Sequence, residues 1–184
     1  MSLVTAAARV EAAAACVRAG GVVAYPTEGV FGFGCSPFDP AALRRLIGIK
    51  RRRADKGMIV IGAEPAHLES IAGKLVHSLP KAQSRATTWI VPALPGTSSA
   101  LTGGGRTVAV RVTSHPLAAA LCTALGGALV STSANRTGGP PLRTPRAVRL
   151  TFGREIDYVL WGMCGDDPRP SRIVDWESGH VIRN

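Results

Sequence analysis

The chain has 184 residues, and at about 150 residues per domain it reads as one domain spanning 1–184. Hydrophobic residues make up 46% and charged residues 18%, with mean hydropathy +0.16, which excludes a disordered or fibrous chain. Lys and Arg total 22 against 12 Asp and Glu, a net charge of +10, and 18 of the 22 are Arg. That excess favours a polyanionic partner, and Arg over Lys favours planar, bidentate recognition of phosphate or carboxylate. Aromatics are only 5%, too few for a surface that stacks several bases.

Cys16, Cys35, Cys122 and Cys164 are far apart with no Cys-x-x-Cys pair, so no metal site is expected and the thiols read as reduced. No apolar run approaches the roughly 20 residues of a membrane span, and the Ala-rich start carries Arg9 and Glu11. A cytoplasmic protein without a membrane segment is expected.

Ser2 or Thr5 caps a predicted first helix running to about Ala19, ended by Gly20-Gly21. Val22 to Tyr25 reads as a buried strand, and Thr27 to Pro37 as a Gly-punctuated loop. Asp39-Pro40 opens a helix through Ile47, Met58 to Ile61 is a second buried strand, and Glu64-Pro65 opens another helix. Trp89 to Val91 and Thr107 to Val112 are further strands. His115-Pro116 begins an apolar helix to Leu125, and Ala128 to Ser131 is a strand. Thr144-Pro145 opens the last helix, with short strands near Tyr158, Ile173 and Val181. Strands alternating with helices, several of them continuous apolar runs, predict an α/β architecture with a largely covered sheet.

Three polar loops follow apolar strands, where ligands gather in open α/β sheets. The first is Tyr25 to Gly34, with the Thr27 hydroxyl and glycines that allow close approach. The second, Lys50 to Gly57, holds five basic residues in the seven positions Lys50 to Lys56 but lacks Walker A spacing. The third, Ser131 to Pro140, opens with three hydroxyls and an amide, Ser131 to Asn135, for polar ligand edges. Gly-x-Ser-x-Gly and His-Glu-x-x-His are both missing, so the chain reads as built to orient anionic reactants rather than to supply a nucleophile.

In this order the segments YPTEGVFGFGC (25–35), IKRRRADKGMIVI (49–61), VAVRVTSHPLAAALC (108–122), LVSTSANRTGGPP (129–141) and PSRIVD (170–175) resemble the YrdC/TsaC family of threonylcarbamoyl-AMP synthases. The resemblance implies an open, twisted, mostly covered α/β sheet with flanking helices and a basic concave face. It implies an enzyme, a nucleotidyltransferase, that makes threonylcarbamoyl-adenylate and pyrophosphate from L-threonine, bicarbonate and ATP with Mg²⁺. Its product would pass to a threonylcarbamoyl transferase complex that modifies tRNA, and direct tRNA contact is part of the expectation. By the same resemblance Lys50, Arg52, Ser133 and Asn135 are catalytic. ATP falls to Lys50, Arg52, Lys56, Thr107, Ser133 and Asn135, and threonine to Thr27, Arg111, Ser131 and Ser171. Strand alternation independently puts Arg111 on the face opposite Val110 and Val112, with a threonine carboxylate or an ion pair to Glu28 as its partner.

Two departures stand out. The family's Trp-Pro-Gly-Pro-x-Thr stretch is replaced here by Gln83 to Thr88. The chain also lacks the C-terminal domain of the longer family branch, so a local loop or a partner is expected to cover the site. The competing expectation is a non-catalytic module that binds double-stranded RNA or tRNA on a basic surface, a reading that gives Thr27, Arg111 and Ser171 no role.

Overall fold

The computed structural model describes residues 5–53, 55–80, 85–167 and 169–184. Ser2 and the start of the 83–88 segment therefore lie outside the described residues. Helix α1 spans Ala6–Arg18 and is capped by Thr5, whose side chain accepts a hydrogen bond from the Ala8 amide at 3.3 Å. Strand β1 follows at Val23–Pro26.

The predicted loop after β1 contains a strand, β2, Phe31–Gly34. Its glycines disguise it, yet Phe31 and Phe33 stand at period two and are fully buried, with Phe33 packed edge-on against Phe152 at 4.9 Å. The glycines face the other way because nothing larger fits. A Cβ at Gly34 would stand 2.5 Å from the Val130 carbonyl and 2.8 Å from the Tyr25 ring.

Helix α2, Pro40–Lys50, is capped by Asp39, which accepts from the amides of Ala41 and Ala42. It runs one turn past Ile47 and stops where Arg51 turns left-handed at φ 49°. Strand β3 is Ile59–Gly62. The helix expected from Pro65 is broken: a 3-10 turn, Pro65–Leu68, leads into the single-turn α3, Glu69–Ala72, and Gly73 at φ 70° opens another 3-10 turn. Strand β4 is Thr87–Pro92, α4 the short Ser99–Thr102, and β5 Thr107–Val112. Helix α5, Pro116–Leu125, is capped by His115, and β6 is Leu129–Ser133. Helix α6, Pro145–Phe152, is capped by Thr144, and β7 (Tyr158–Val159), β8 (Arg172–Asp175) and β9 (Val181–Arg183) finish the chain.

Among the described residues the nine strands form one twisted mixed sheet in the order β7-β1-β2-β6-β3-β5-β4-β8-β9. Alternation divides the core in two. Ala24, Phe31, Phe33, Val60, Val110 and Val130 point to the face covered by α2, α3, α4 and α6. Val23, Tyr25, Ile61 and Leu129 point to the opposite face and pack under α1 and α5. That second cover stops short. Continuing the same parity, Leu129 is followed by Ser131 and Ser133, and Ile61, covered, by Ile59 beside Ser131. This uncovered part of the sheet is where the polar side chains converge.

Candidate active site

The open part of the sheet is a cleft of about 200 Å³, walled by β2, β3, β5 and β6, the 27–30 turn and the 169–171 segment. Of the sequence-predicted residues, Thr27, Arg52, Arg111, Ser131, Ser133 and Ser171 line it together. Lys50, Lys56, Thr107 and Asn135 do not. Thr107 is exposed at the far end of β5, about 13 Å from Arg111 at a rise of roughly 3.3 Å per residue. Lys56 is exposed on the loop before β3.

Each lining side chain is held by short-range chemistry. Thr27 donates its hydroxyl to the Val30 carbonyl at 2.7 Å, closing the turn between β1 and β2. Gly32 floors the cleft, since a Cβ there would come within 3.3 Å of the Thr27 methyl and 3.5 Å of Ser131 Oγ. Ser171 is buried, its hydroxyl 2.9 Å from Thr88 Oγ1 and 3.2 Å from Arg183 Nη2. Arg183 also donates to the Ser171 carbonyl, so the β8–β9 hairpin carries its own cation into the wall.

The basic run 50–57 is sorted by backbone geometry. Lys50 is the last residue of α2, and the left-handed Arg51 turns the chain after it. Arg51 and Arg53 are exposed, and Arg53 pairs with Asp55 at 2.8 Å. Arg52 turns in and is held by the carbonyls of Lys56 at 3.1 Å and Gly57 at 2.6 Å. Burial pulls the Arg52 pKa below its ordinary value. Lys50 is 2% exposed and pairs with no acid among the described residues. Its Nζ donates to the carbonyls of Ser133 and Asn135 and to Asn135 Oδ1. Burial first, then the Arg52 charge, lowers its pKa to about 8. Asn135 in turn accepts from Ser133 Oγ at 2.6 Å and donates to the Gly139 carbonyl. Lys50 and Asn135 therefore shape the loop after β6 from behind.

Arg111 stands on the face opposite Val110, as alternation predicts, with its side chain 8% exposed. Glu28 lies 3.4 Å from it, so the anticipated ion pair is present. Arg169 and Arg183, which sequence reasoning passed over, join Arg52 and Arg111 at the cleft. Burial, then the charges of Arg111 and Arg85, lowers the Arg183 pKa. Only the parity of β9, which sets Arg183 beside the half-buried Val181, hinted at this in the sequence. Four guanidiniums line the cleft against the Glu28 carboxylate, and with Arg169 paired to Asp167 at 2.7 Å the excess of positive charge still makes an anion site.

The Sua5/YciO/YrdC family model, which bears the description telomere recombination, matches residues 15–184. The chain belongs to that family. Over 182 residues it is 48% identical to the threonylcarbamoyl-AMP synthase of Alkalilimnicola ehrlichii, covering 95% of both chains. It is 47% identical to the enzyme of that name from Nitrosococcus oceani, covering 95% of this chain and 97% of that one. The crystal structure of P. abyssi Sua5 complexed with L-threonine superposes with a TM-score of 0.80 at 29% identity. That match covers 91% of this chain and 52% of Sua5, so the chain spans about half the length of that relative. The expected fold of the Sua5/YciO/YrdC family is the one observed, including the basic cleft on the open half of its sheet.

Proposed function

We propose that this protein is a threonylcarbamoyl-AMP synthase, joining L-threonine, bicarbonate and ATP into threonylcarbamoyl-adenylate with release of pyrophosphate. The observation that carries the reading is the convergence of the Arg111 guanidinium with the hydroxyls of Thr27, Ser131 and Ser171 in one cleft. Relatives that bear this name match the chain almost end to end.

The enclosed volume is below the roughly 300–1,000 Å³ of typical small-molecule sites, which suits an amino acid inside and a nucleotide lying out along the open face. In this reading the threonine carboxylate takes the planar fork of Arg111. The threonine amine adds to carbon dioxide with loss of a proton, or to bicarbonate with loss of water, and the carbamate oxygen then attacks the α-phosphorus of ATP. Pyrophosphate leaves. Such a reaction needs positioning and charge neutralisation rather than a protein nucleophile. Arg52, Arg169 and Arg183 line the same cleft, and their charge supports phosphate binding there. Lys50 and Asn135 act from behind by holding the loop that presents Ser133.

Mg²⁺ enters this reading with ATP as part of the substrate. Glu28 is the one acid among the described lining residues, and its Oε1 is already engaged by Thr113 and Ser114. No three described His, Cys, Asp or Glu side chains gather as a metal cage. Turnover is expected to track Mg²⁺ and to survive zinc chelation. The product would pass to a transferase complex acting on tRNA in the cytoplasm, and the +10 charge supports direct tRNA contact. No described helix is long and apolar enough to cross a membrane.

The deciding experiment is pyrophosphate release with threonine and bicarbonate omitted in turn. Each omission should abolish release, and equal release without threonine would sink the reading.

A further inference from the structure

Glu28 is out of place in a cleft built only for anions. It lines the cleft with Arg52, Arg111, Arg169 and Arg183, and is anchored through one carboxylate oxygen. Its Oε1 accepts from Thr113 Oγ1 at 2.7 Å and from the Ser114 amide at 3.0 Å, both at the junction between β5 and α5. Its backbone is pressed against the 165 segment, where a Cβ on Gly165 would stand 2.5 Å from the Glu28 carbonyl. Its Oε2 is buried and lies 3.4 Å from Arg111 Nη2 with no hydrogen-bond partner among the described residues, and Arg111 Nε is orphaned in the same way.

Burial raises the Glu28 carboxyl, but Arg111, Thr113 and the backbone amides outweigh it, so the group stays below the ordinary carboxylate range. It is therefore a fixed negative charge at neutral pH and a poor proton acceptor. For a simple anion approaching Arg111 such a charge is a penalty, because it cancels the attraction in a poorly solvated site. For a ligand that carries an ammonium beside its carboxylate the penalty becomes a gain. Specificity is a difference of affinities, and a built-in repulsion toward the wrong ligand is one way to obtain it.

We propose that Glu28 is the specificity-determining residue that makes the inner cleft select an α-amino acid over amine-free hydroxy acids and simple anions. The inference rests on the reading above that threonine occupies the inner cleft.

Calorimetric titration of the full chain with threonine, and with the hydroxy acid in which a hydroxyl replaces its amine, tests this. Wild-type protein should prefer threonine by about tenfold or more, tenfold being about 1.4 kcal/mol. Glu28→Gln, nearly isosteric, should bring the ratio close to one by weakening threonine while leaving or improving the hydroxy acid. Glu28→Asp, which keeps the charge, should retain the preference even where both ligands weaken, and it supplies the readout should the Gln variant not fold. Glu28→Gln weakening both ligands by one common factor would mean that Glu28 is scaffold for Arg111, and loss of preference in Glu28→Asp would overturn the proposal equally. Wild-type protein that binds neither ligand overturns the functional reading and this inference with it, a result distinct from one in which threonine binds and the ratio does not move.

Discussion

Lys50 Nζ lies 2.9 Å from the Asn135 carbonyl and 3.2 Å from its Oδ1, across 85 residues of sequence. A lysine with 2% exposure and carbonyl partners has left water for the sake of one loop. Thr137 completes the seam, its amide and hydroxyl both donating to the Lys50 carbonyl. Lys50→Met should therefore leave the Asn135 carbonyl without its ammonium donor and the Ser133 carbonyl with only the Asn135 amide, and should lower unfolding free energy by about 1–3 kcal/mol, the scale for one unmatched acceptor. Urea unfolding of the two proteins measures this. A variant with full stability and no ATP turnover would mean that Lys50 works on the nucleotide itself.

The same amine gives a pH signature. Its folded pKa of about 8 lies below its ordinary 10.5. Between those values the unfolded chain holds a proton that the native chain has released, so rising pH favours the native state. The stability advantage of wild type over Lys50→Met should grow from pH 8 toward 10.5. Cys35 and Cys122, pushed up to about 12 by burial, act oppositely above their ordinary 9, but they are common to both proteins and cancel in the difference. An advantage that shrinks across that window would show that the native fold tightens its hold on the proton.

Arg111 and Glu28 separate fork from charge. Arg111→Lys keeps the ion pair but loses the planar two-donor geometry, so KM for threonine should rise by about tenfold or more while KM for ATP stays within about twofold. Arg111→Ala leaves Glu28 buried and unpaired, and should cost about 3–5 kcal/mol of stability as well. Steady-state kinetics with thermal melts distinguishes them. Unaltered threonine dependence in Arg111→Lys would move the carboxylate site elsewhere.

The basic run predicts a sharp contrast between neighbours. Arg52 lines the cleft, whereas Arg51 and Arg53 face solvent. Arg52→Ala should cost about 2–4 kcal/mol in kcat/KM for ATP, the scale of a lost electrostatic clamp. Arg51→Ala and Arg53→Ala should remain near wild type, because the exposed Arg53–Asp55 pair contributes only about 0–1 kcal/mol. Equal losses in all three well-folded variants would replace the clamp with a diffuse basic patch.

What the sequence determined by itself was whatever depends on neighbours along the chain. Thr5, Asp39, His115 and Thr144 each cap a helix within three residues, so their helices were legible. The period of two fixed the face of Arg111 before any fold was known. Five motifs in order carried the family and with it six of the residues that meet at the cleft. The tertiary structure decided everything that rests on distant partners. β2 is a strand because β1 and β6 flank it and Phe33 finds Phe152, while its own glycines argue for a loop. Lys50 became a loop pin and Thr107 an outlying surface residue through the end of α2 and the length of β5. Arg183 and Arg169 entered the cleft because β8 pairs with β4 and swings the chain's last residues beside Ser171. Caps and alternation are satisfied within a few residues, whereas a buried charge must find its partner wherever the packed chain brings one.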